Sequence, residues 1–323
     1  MTVDAIFPVF KKALPAIKKN VALSRYTTFK IGGAATYFLA TSEKSDIVKA
    51  LKIAKKYQLP YFILGGGSNL LVSDKGFSGL VVKIQAPVKP LIVKKGNVVE
   101  VMAGVPMSKL VAFCVANSLQ GLEWAGGLPG TFGGAVRGNA GAFGGETKDA
   151  ILEVLVLDDA LKLRKLSQKQ CQFSYRNSIV KQKNWIIISA KIVLKKGDKK
   201  IISQIAKANM QYRKDKHPLE YPNAGSIFKN QNVTDFSKEH QTMLLKVVKK
   251  DPFPVVPVAY LLSELGVKGN TVGKAQVSPK HPNFIVNLGG AKAEDVLRII
   301  ENNKKHIKEV YGVELEQEVQ FLD

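Results

Sequence analysis

The 323-residue chain is long enough to bury a large core and to form two or three domains. Its hydrophobic content of 46% and charged content of 23% are ordinary for a globular protein and exclude a disordered or fibrous chain. The net charge of +22 is compatible with three classes of partner: nucleic acid, an acidic membrane surface, or an anionic substrate. Because the lysines are dispersed as pairs rather than gathered in one block, a basic, solvated surface explains most of them more simply.

Other classes of protein are excluded by residues that the sequence lacks. Two cysteines, Cys114 and Cys171, are too few for a disulfide framework, and the four scattered histidines have no metal-ligand spacing, so no metal site is expected. No apolar run approaches the ~20 residues of a membrane span. Residues 1–20 lack the basic start, apolar core and cleavage site of a signal peptide. We therefore expect a soluble, cytoplasmic protein without membrane insertion.

The first part of the chain predicts the order strand, helix, strand. Residues 24–38 end in a strand-like run, and apolar residues then recur at helical spacing between 47 and 54. Ser42 or Ser45 is the expected N-cap of that helix. A buried strand then enters a glycine turn within residues 59–71, and a short strand follows it.

The middle of the chain is rich in strands. Residues 91–101 predict a hairpin around Gly96-Asn97, and a helix with Pro106 in its first turn follows. β-branched residues are enriched in three further segments, which predict strands of an antiparallel or mixed sheet: residues 151–157, 161–166 and 185–194.

The last part predicts a second module. The polar run that ends at Lys200 is the expected domain boundary, and a helix leads out of it. Within residues 217–311, two apolar patterns predict helices that end at Gly266 and Gly312. The tail that follows is strand-like again.

The first segment that carries chemistry is LGGGSN, at residues 64–69, which follows the predicted strand. Backbone amides of successive glycines can form a concave nest for a phosphate group. No Gly-Lys-Ser/Thr follows, so the segment is not a Walker A loop, and the next residues look extended rather than helical, so it does not open a Rossmann helix. A tight structural turn explains the segment equally well.

A second glycine-rich stretch covers Gly126–Glu146, with the sequence GGLPGTFGGAVRGNAGAFGGE. Nine of the chain's 27 glycines fall within these 21 residues. Such density costs backbone entropy, which a fold tolerates where the chain turns with positive φ or approaches a neighbour closely. Linkers are rich in Ser, Lys and Glu, whereas this stretch carries large apolar side chains. It therefore predicts a packed, ligand-facing loop. Together, the two glycine segments suit a long diphosphate ligand, and a dinucleotide bound outside a Rossmann fold is the natural candidate.

Three further segments carry polar side chains of uncertain role. Arg176, in SYRNS, is flanked by aromatic residues; its planar fork suits a carboxylate, although a lone arginine is more often an ion-pair partner. Ser226, in NAGSIFKN, lies in a small-residue turn, where a serine is mostly a local hydrogen-bond partner. Three glutamates alternate in the tail, which is typical of a solvated strand edge; one of them could donate a proton if it were buried. No Ser-His-Asp arrangement indicates a hydrolase.

Taken together, these segments resemble a known family. LGGGSNLLVSD, GLPGTFGGAVRGNAGAFGGE, SYRNS, NAGSIFKN, SPKHPNFIVN and LEQEVQF occur in the order found in the MurB family, the UDP-N-acetylenolpyruvoylglucosamine reductases. The resemblance runs from about residue 25 to the C-terminus. It implies an α+β chain with a two-subdomain FAD-binding fold of the vanillyl-alcohol-oxidase type and a third α+β domain for substrate. The implied bounds are 1–85 for subdomain 1, with the tail 313–323 nearby, 86–200 for subdomain 2, and 201–312 for the substrate domain.

The resemblance also implies the cofactors. FAD would lie against the two glycine-rich segments, and NADPH would be the reductant. No histidine precedes His217, so histidyl attachment of the flavin from the cofactor domain is excluded and dissociable FAD is expected. The implied FAD-binding residues are Gly65, Gly66, Gly67, Ser68, Asn69, Pro129, Gly130, Thr131, Gly133, Gly134, Asn139 and Gly141.

The implied reaction reduces the enolpyruvyl ether of UDP-N-acetylglucosamine to UDP-N-acetylmuramate in peptidoglycan synthesis. Arg176 and Glu318 match the family pair that stabilises the enolate-like intermediate beside the substrate carboxylate, and Glu318 must be protonated to do so. Ser226 matches the donor of the final proton. Candidate substrate-binding residues are Lys216, Asn223, Lys229 and Asn230.

The chain departs from one MurB subtype, because the short stretch 177–185 lacks the insertion that carries a substrate-capping tyrosine. Arg137 has no assignable role. Two other readings stay open: a different flavin oxidoreductase of the same fold, and a basic nucleic-acid-binding protein, for which no helix-turn-helix, zinc finger or stacking pattern is evident. We expect a monomer whose partners are the UDP-sugar and NADPH rather than nucleic acid.

Overall fold

The computed structural model describes residues 3–87, 91–250 and 253–323. In chain order, the helices are α1 (Val3–Ala13), α2 (Lys44–Lys56), α3 (Met107–Ala116), α4 (Phe132–Arg137), α5 (Ile179–Gln182), α6 (Lys199–Lys216), α7 (Lys238–Leu244), α8 (Val258–Glu264) and α9 (Ala293–Tyr311). The longer strands are β1 (Lys18–Ala22), β2 (Ala34–Thr41), β3 (Tyr61–Leu64), β4 (Leu70–Val72), β5 (Phe77–Ile84), β6 (Leu91–Lys95) and β7 (Val98–Met102).

The remaining strands are mostly shorter. They are β8 (Leu119–Gln120), β9 (Gly141–Ala142), β10 (Gly145–Glu146), β11 (Ile151–Leu157), β12 (Leu163–Ser167), β13 (Ile186–Val193), β14 (Lys195–Lys196), β15 (Asn223–Ser226), β16 (Gln231–Asn232), β17 (Val255–Val256), β18 (Thr271–Val272), β19 (Ala275–Val277), β20 (Phe284–Asn287) and β21 (Gln320–Leu322).

The chain folds into two compact units, each built from three separate stretches. Unit 1 consists of Met1–Val21, Ala35–Gly66 and Ser78–Tyr212. Unit 2 consists of Ala22–Ala34, Gly67–Phe77 and Arg213–Asp323. These bounds differ from the three-part division expected from the sequence. Residues 1–85 contribute to both units. The tail 313–323 belongs to unit 2 and pairs there with β4, which lies within residues 1–85.

One half of unit 1 is a four-stranded sheet in the order β1-β2-β5-β3, in which β3 and β5 are parallel. α2 places four apolar residues in the core beside it: Ile47, Ala50, Leu51 and Ala54. The N-cap position of α2 is Glu43, and no side chain caps the helix there. The expectation of Ser42 or Ser45 was therefore wrong; the Ser42 hydroxyl donates instead to the Glu43 carboxylate.

The other half of unit 1 is a five-stranded antiparallel sheet in the order β12-β11-β13-β7-β6. This confirms the predicted strand-rich middle region and the hairpin at Gly96, which adopts a φ of 55°. Alternating residues of β11 and β13 pack against α3 and α4 in a second core, which includes the predicted helical Cys114.

The polar run that ends at Lys200 is not a break between the units. Its first two lysines form β14, which pairs with β8. The Asp198 carboxylate then accepts hydrogen bonds from the N–H groups of Lys200 and Ile201, which start α6. Unit 1 continues along α6 to Tyr212, so the boundary lies inside this helix.

Unit 2 is built around an antiparallel sheet in the order β15-β20-β19-β18, with α8 and α9 contributing to its core. β4 pairs in parallel with β21, so the C-terminal tail joins the stretch that starts at Gly67. At the N-terminus of α9, the Ala293 N–H donates to the Asp74 carboxylate. The helix ends at Gly312, which has a φ of 71°. The helix ends predicted at Gly266 and Gly312 are confirmed. Within the described ranges, no helix has the length and apolar character of a bilayer span.

Candidate active site

The two glycine-rich segments meet in unit 1. A Cβ atom on Gly66 would lie 2.5 Å from the Cα of Gly130, and one on Gly65 would lie 2.7 Å from Oγ1 of Thr131. Contacts this short leave no room for any side chain, so the backbones of the two segments touch directly. From the sequence, each segment could be located only relative to the strand or helix beside it. The two segments are more than 60 residues apart in the chain, so their contact is visible only in the tertiary structure.

Backbone N–H groups at this contact are available to a ligand. Among the described residues, no acceptor is bound by the N–H of Gly65 or Gly66, or by that of Gly130 or Thr131. Most N–H groups in a folded protein find a partner, and a run of them without one is the usual architecture of an anion site. The donors at this contact therefore fit a diphosphate.

Other glycines of the 126–146 stretch serve the packing of the protein itself. Gly133 donates its N–H to the Ala103 carbonyl at 2.8 Å, and a Cβ on Gly133 would lie 2.7 Å from the Ala103 Cβ. Gly134 donates to the Thr131 hydroxyl, which caps α4. These N–H groups are thus engaged within unit 1. The cofactor contacts assigned to Gly133 and Gly134 stay predictions.

Asn139 has a similar internal role. It is fully buried, and its amide nitrogen donates to the Ser174 carbonyl at 3.0 Å and to the Glu146 carboxylate at 3.2 Å. Its amide oxygen accepts the Lys148 N–H at 3.0 Å. The side chain therefore ties the glycine stretch to the SYRNS segment. Its predicted contact with the cofactor stays a prediction.

Arg176 lies at the tip of a tight turn in which Ser174 and Asn177 exchange backbone hydrogen bonds of 3.2 and 3.1 Å. Its φ of 54° is uncommon for a residue with a side chain, and such strain concentrates at functional sites. The Arg176 Nη2 donates to the Gly141 carbonyl at 2.9 Å, and the guanidinium lies 4.9 Å from the centre of the Tyr175 ring. Arg176 is thus fixed beside a residue of the predicted cofactor segment.

The structure also assigns Arg137 a role that the sequence did not indicate. Its Nη2 donates to the Asn184 side-chain oxygen at 3.1 Å, and its carbonyl accepts the Ser178 hydroxyl at 2.7 Å. Burial lowers the pKa of the Arg137 guanidinium below its usual value. Arg137 joins the end of α4 to α5 and supports the stretch that carries Arg176.

Unit 2 brings Ser226 and Glu318 onto neighbouring segments. The Glu318 N–H donates to the Ile227 carbonyl at 2.8 Å, and the Lys229 N–H donates to the Glu316 carbonyl at 2.9 Å. Residues 226–229 therefore run antiparallel to the tail. Two of the three predicted catalytic residues, separated by 92 positions in the chain, lie on this pair of segments. Arg176 belongs to unit 1.

Asn283 holds the segment that carries Ser226, and sequence reasoning missed it. Its side-chain oxygen accepts the Phe228 N–H at 3.0 Å, and its side-chain nitrogen donates to the Phe228 carbonyl at 2.9 Å. Its own carbonyl accepts the Ile227 N–H at 2.8 Å. Asn283 is 4% exposed, so these bonds form away from water. The SPKHPNFIVN motif marks the region of Asn283, but nothing in the motif indicates that Asn283 binds the backbone of Ile227 and Phe228.

The surroundings of Ser226 carry two neutral imidazoles. Ser226 pairs with Phe284 in the sheet, and the His217 and His281 rings lie 4.9 and 4.8 Å from the Phe284 ring centre. Burial is the main cause that lowers the pKa of each histidine to about 4. Both rings are therefore uncharged at neutral pH.

Other predicted residues of unit 2 lie on segments that adjoin the Ser226 turn or the tail. Asn223 donates to the Tyr221 carbonyl at 2.9 Å and accepts the Gly225 N–H at 3.0 Å, which shapes the turn before the serine. Asn69 donates to the Glu318 carbonyl at 2.9 Å, so its segment is joined to the tail. Gly67 and Ser68 lie in the same segment as Asn69.

The lysine candidates differ in their surroundings. The Lys229 ammonium forms an ion pair with Glu316, and its side chain is only 13% exposed. Lys216 is exposed at the end of α6. The Asn230 side chain accepts the Val258 N–H at 3.3 Å. Lys229 is therefore the better-positioned cation beside the Ser226 segment. Across the described residues, no group of three His, Cys, Asp or Glu side chains is placed to hold a metal ion.

Two long segments of the chain match known protein families. Residues 35–167 match the FAD binding domain family, and residues 217–322 match the family described as UDP-N-acetylenolpyruvoylglucosamine reductase, C-terminal domain. The reductase of Caldanaerobacter subterraneus subsp. tengcongensis is 37% identical over 94% of this chain and 92% of its own, and that of Clostridium novyi is 38% identical over 95% and 92%. The crystal structure of MurB from Thermus caldophilus, at 30% identity, has a TM-score of 0.76 and covers 95% of this chain and 100% of its own.

These similarities confirm the fold class predicted from the sequence, an FAD-binding fold of the vanillyl-alcohol-oxidase type with an additional domain. They extend over both units and over nearly the full length of each relative. The chain therefore belongs to the UDP-N-acetylenolpyruvoylglucosamine reductase family.

Proposed function

We propose that the chain is an FAD-dependent oxidoreductase that reduces UDP-N-acetylglucosamine enolpyruvate to UDP-N-acetylmuramate for peptidoglycan synthesis, with NADPH as the reductant. The observation that carries the proposal is the similarity of the whole chain to reductases of this name, 37–38% identical over more than nine-tenths of their length. The glycine contact in unit 1 and the serine–glutamate pair in unit 2 support it independently, because each supplies groups that the reaction requires.

The cofactor is proposed to lie with its diphosphate against the free N–H groups of the two glycine-rich segments. Gly65 and Gly66 would supply donors from one segment, and Gly130 and Thr131 from the other. Pro129 and Gly141 would line the same surface. Bound FAD would accept hydride from NADPH and pass it to the substrate.

The chain's own side chains are proposed to control charge and protons at the substrate. The Arg176 fork would bind the carboxylate of the enolpyruvyl group, where negative charge develops. Glu318, in its protonated form, would donate a hydrogen bond to the same group. Ser226 would hold the proton that its hydroxyl then delivers to the substrate carbon next to the carboxylate. Groups positioned in this way typically contribute ~10²–10⁴-fold each.

The substrate diphosphate is proposed to bind near Lys229, with Lys216, Asn223 and Asn230 as further candidates. Lys229 already faces a carboxylate in Glu316, and its side chain is largely shielded from water. A diphosphate oxygen could take the place of that carboxylate without moving the ammonium into a new environment.

An assay of flavin content and NADPH oxidation distinguishes the three hypotheses: the reductase, a different flavin oxidoreductase, and a nucleic-acid-binding protein. Purified protein is expected to carry a flavin and to oxidise NADPH at a rate that depends on the UDP-enolpyruvyl sugar. Flavin-loaded protein that oxidises NADPH without any response to the sugar would favour a different flavin oxidoreductase. Colourless protein that takes up no FAD, yet binds nucleic acid, would favour the third reading.

We expect the flavin to be bound non-covalently. All four histidines lie in unit 2, and neither thiol is suited to attack a flavin. Burial raises the pKa of Cys114 to about 12 and that of Cys171 to about 11, so both remain protonated thiols. Acid precipitation of the loaded protein should leave the yellow colour in the supernatant. A yellow pellet would contradict this prediction.

The protein is further proposed to act as a cytoplasmic monomer. Its partners would be the UDP-sugar and NADPH, both anionic, rather than nucleic acid. The positive net charge of the chain would favour the approach of both ligands.

A further inference from the structure

Lys83 lies directly beside the first glycine segment, in unit 1. It is near the end of β5, opposite Leu64 in the parallel pairing with β3, and β3 leads straight into Gly65. Leu80 and Val82 of the same strand are buried in the core beneath the sheet. Since side chains alternate along a strand, Lys83 lies on the other face. Its Nζ donates a hydrogen bond of 2.7 Å to the carbonyl oxygen of Gly65.

This bond determines where the next N–H points. The Gly65 carbonyl and the Gly66 N–H belong to one planar peptide unit, and in a trans peptide they point in opposite directions. With the carbonyl held by Lys83, the Gly66 N–H is directed away from the lysine. Among the described residues, that N–H has no acceptor. Glycine alone has little preference for any backbone orientation, so an external restraint is needed to keep the donor in place.

The Lys83 ammonium is partly shielded from water. Its side chain is partly buried, and burial lowers the pKa of its ammonium below the usual value. Placing a charged amine away from water is unfavourable unless other groups compensate it. The Gly65 carbonyl is one group that offsets this cost, and a bound diphosphate would add Coulomb attraction.

We propose that Lys83 is a cofactor-positioning residue, which holds the Gly65 carbonyl so that the Gly66 N–H faces the diphosphate of FAD. It also places a positive charge behind the glycine turn. The inference rests on the FAD site of the proposed function. Lys83 lies outside both glycine-rich segments, and we infer that it keeps the Gly65–Gly66 peptide in the orientation that binds the diphosphate.

The test compares two flavins that differ in their phosphates. FAD and riboflavin are each titrated into the flavin-free full-length protein, and FAD release from the loaded protein is followed by fluorescence on dilution. Lys83→Met is expected to weaken FAD binding about tenfold, because a hydrogen bond involving a charged group typically contributes this much. Riboflavin has no diphosphate, so its affinity should change less than about twofold.

Two further variants serve as controls. Lys191→Met removes a partly exposed lysine from the neighbouring sheet of unit 1, where it pairs with Glu153, and it should leave both affinities unchanged. Lys83→Arg keeps a charged donor and should recover most of the FAD affinity. Circular dichroism and thermal denaturation establish that each variant is folded. If Lys83→Met does not fold, Lys83→Gln takes its place in the comparison.

The outcomes separate this inference from the proposed function. An equal loss of FAD and riboflavin affinity would show that Lys83 only supports the fold, and unchanged FAD affinity would show that it does not act on the site; either result overturns the inference. If the wild-type protein binds neither flavin, the proposed function itself fails.

Discussion

Replacing Ser226 with alanine is expected to leave reduction of the bound flavin by NADPH unchanged and to lower turnover of the UDP-enolpyruvyl sugar about 10²–10⁴-fold. The reason is that the hydroxyl is proposed to act only after hydride has reached the substrate. The backbone around residue 226 is held by Asn283 and by the tail, and neither contact uses the serine side chain. Stopped-flow absorbance of the flavin measures the two half-reactions separately.

A matched substitution distinguishes the proton donor from a structural serine. Ser263 lies on α8 of the same unit and is also partly buried, so Ser263→Ala should leave both half-reactions at the wild-type rate. Wild-type turnover by the Ser226→Ala variant would make Ser226 an ordinary turn serine. Loss of flavin reduction as well would indicate damage to the fold rather than a missing proton donor.

Arg176→Lys is expected to lower kcat/KM for the UDP-enolpyruvyl sugar about 10²-fold, again without slowing flavin reduction by NADPH. Lysine keeps the charge but loses the planar fork that can bind a carboxylate through two hydrogen bonds. In the structure the fork is held by the Gly141 carbonyl and by the Tyr175 ring, and a flexible ammonium would make neither contact in the same geometry. Steady-state kinetics with varied sugar concentration give the required ratio.

Arg164→Lys is the control for this substitution. Arg164 also lies over an aromatic ring, that of Trp185 at 5.7 Å, and it pairs with Asp158 in the same unit. It is not among the proposed substrate contacts, so its replacement should leave kcat/KM within about twofold. A similar loss in both variants would mean that exchanging arginine for lysine disturbs unit 1 in general, and the proposed role of Arg176 would fail.

The glycine stretch at 126–146 illustrates how far sequence reasoning reaches. Its composition correctly indicated backbone that must approach something closely. It could not indicate what is approached, because any close neighbour excludes a Cβ equally well. In the structure the close neighbour differs from one position to the next. Gly130 contacts the LGGGSN segment, Gly133 contacts Ala103, and Gly145 contacts the Trp124 ring. The Gly133 N–H is used by the Ala103 carbonyl, whereas no acceptor within the described residues is bound by the N–H of Gly66 or Gly130.

Helix and strand positions were well predicted where a local pattern decides them. α9 ends at Gly312 because a left-handed residue terminates a helix wherever it occurs, and β11 follows from its β-branched residues. The N-cap predicted for α2 was wrong. Ser42 and Ser45 are each able to cap a helix, but α2 begins after Glu43 and no side chain caps it there.

By itself, the sequence determined the family, the fold class and the flavin cofactor, because these depend on residue types in a fixed order. On the same basis it predicted the roles of Arg176, Ser226 and Glu318. Only the tertiary structure decided that the tail pairs with the segment of Ser226, that Asn283 holds this segment, and that Lys83 binds the Gly65 carbonyl. Asn283 lies in a family motif and Lys83 lies in none, but the chain neighbours of neither residue indicate its hydrogen-bond partner. Their partners are set by strand register and by contacts between distant segments, which no local pattern of residues encodes.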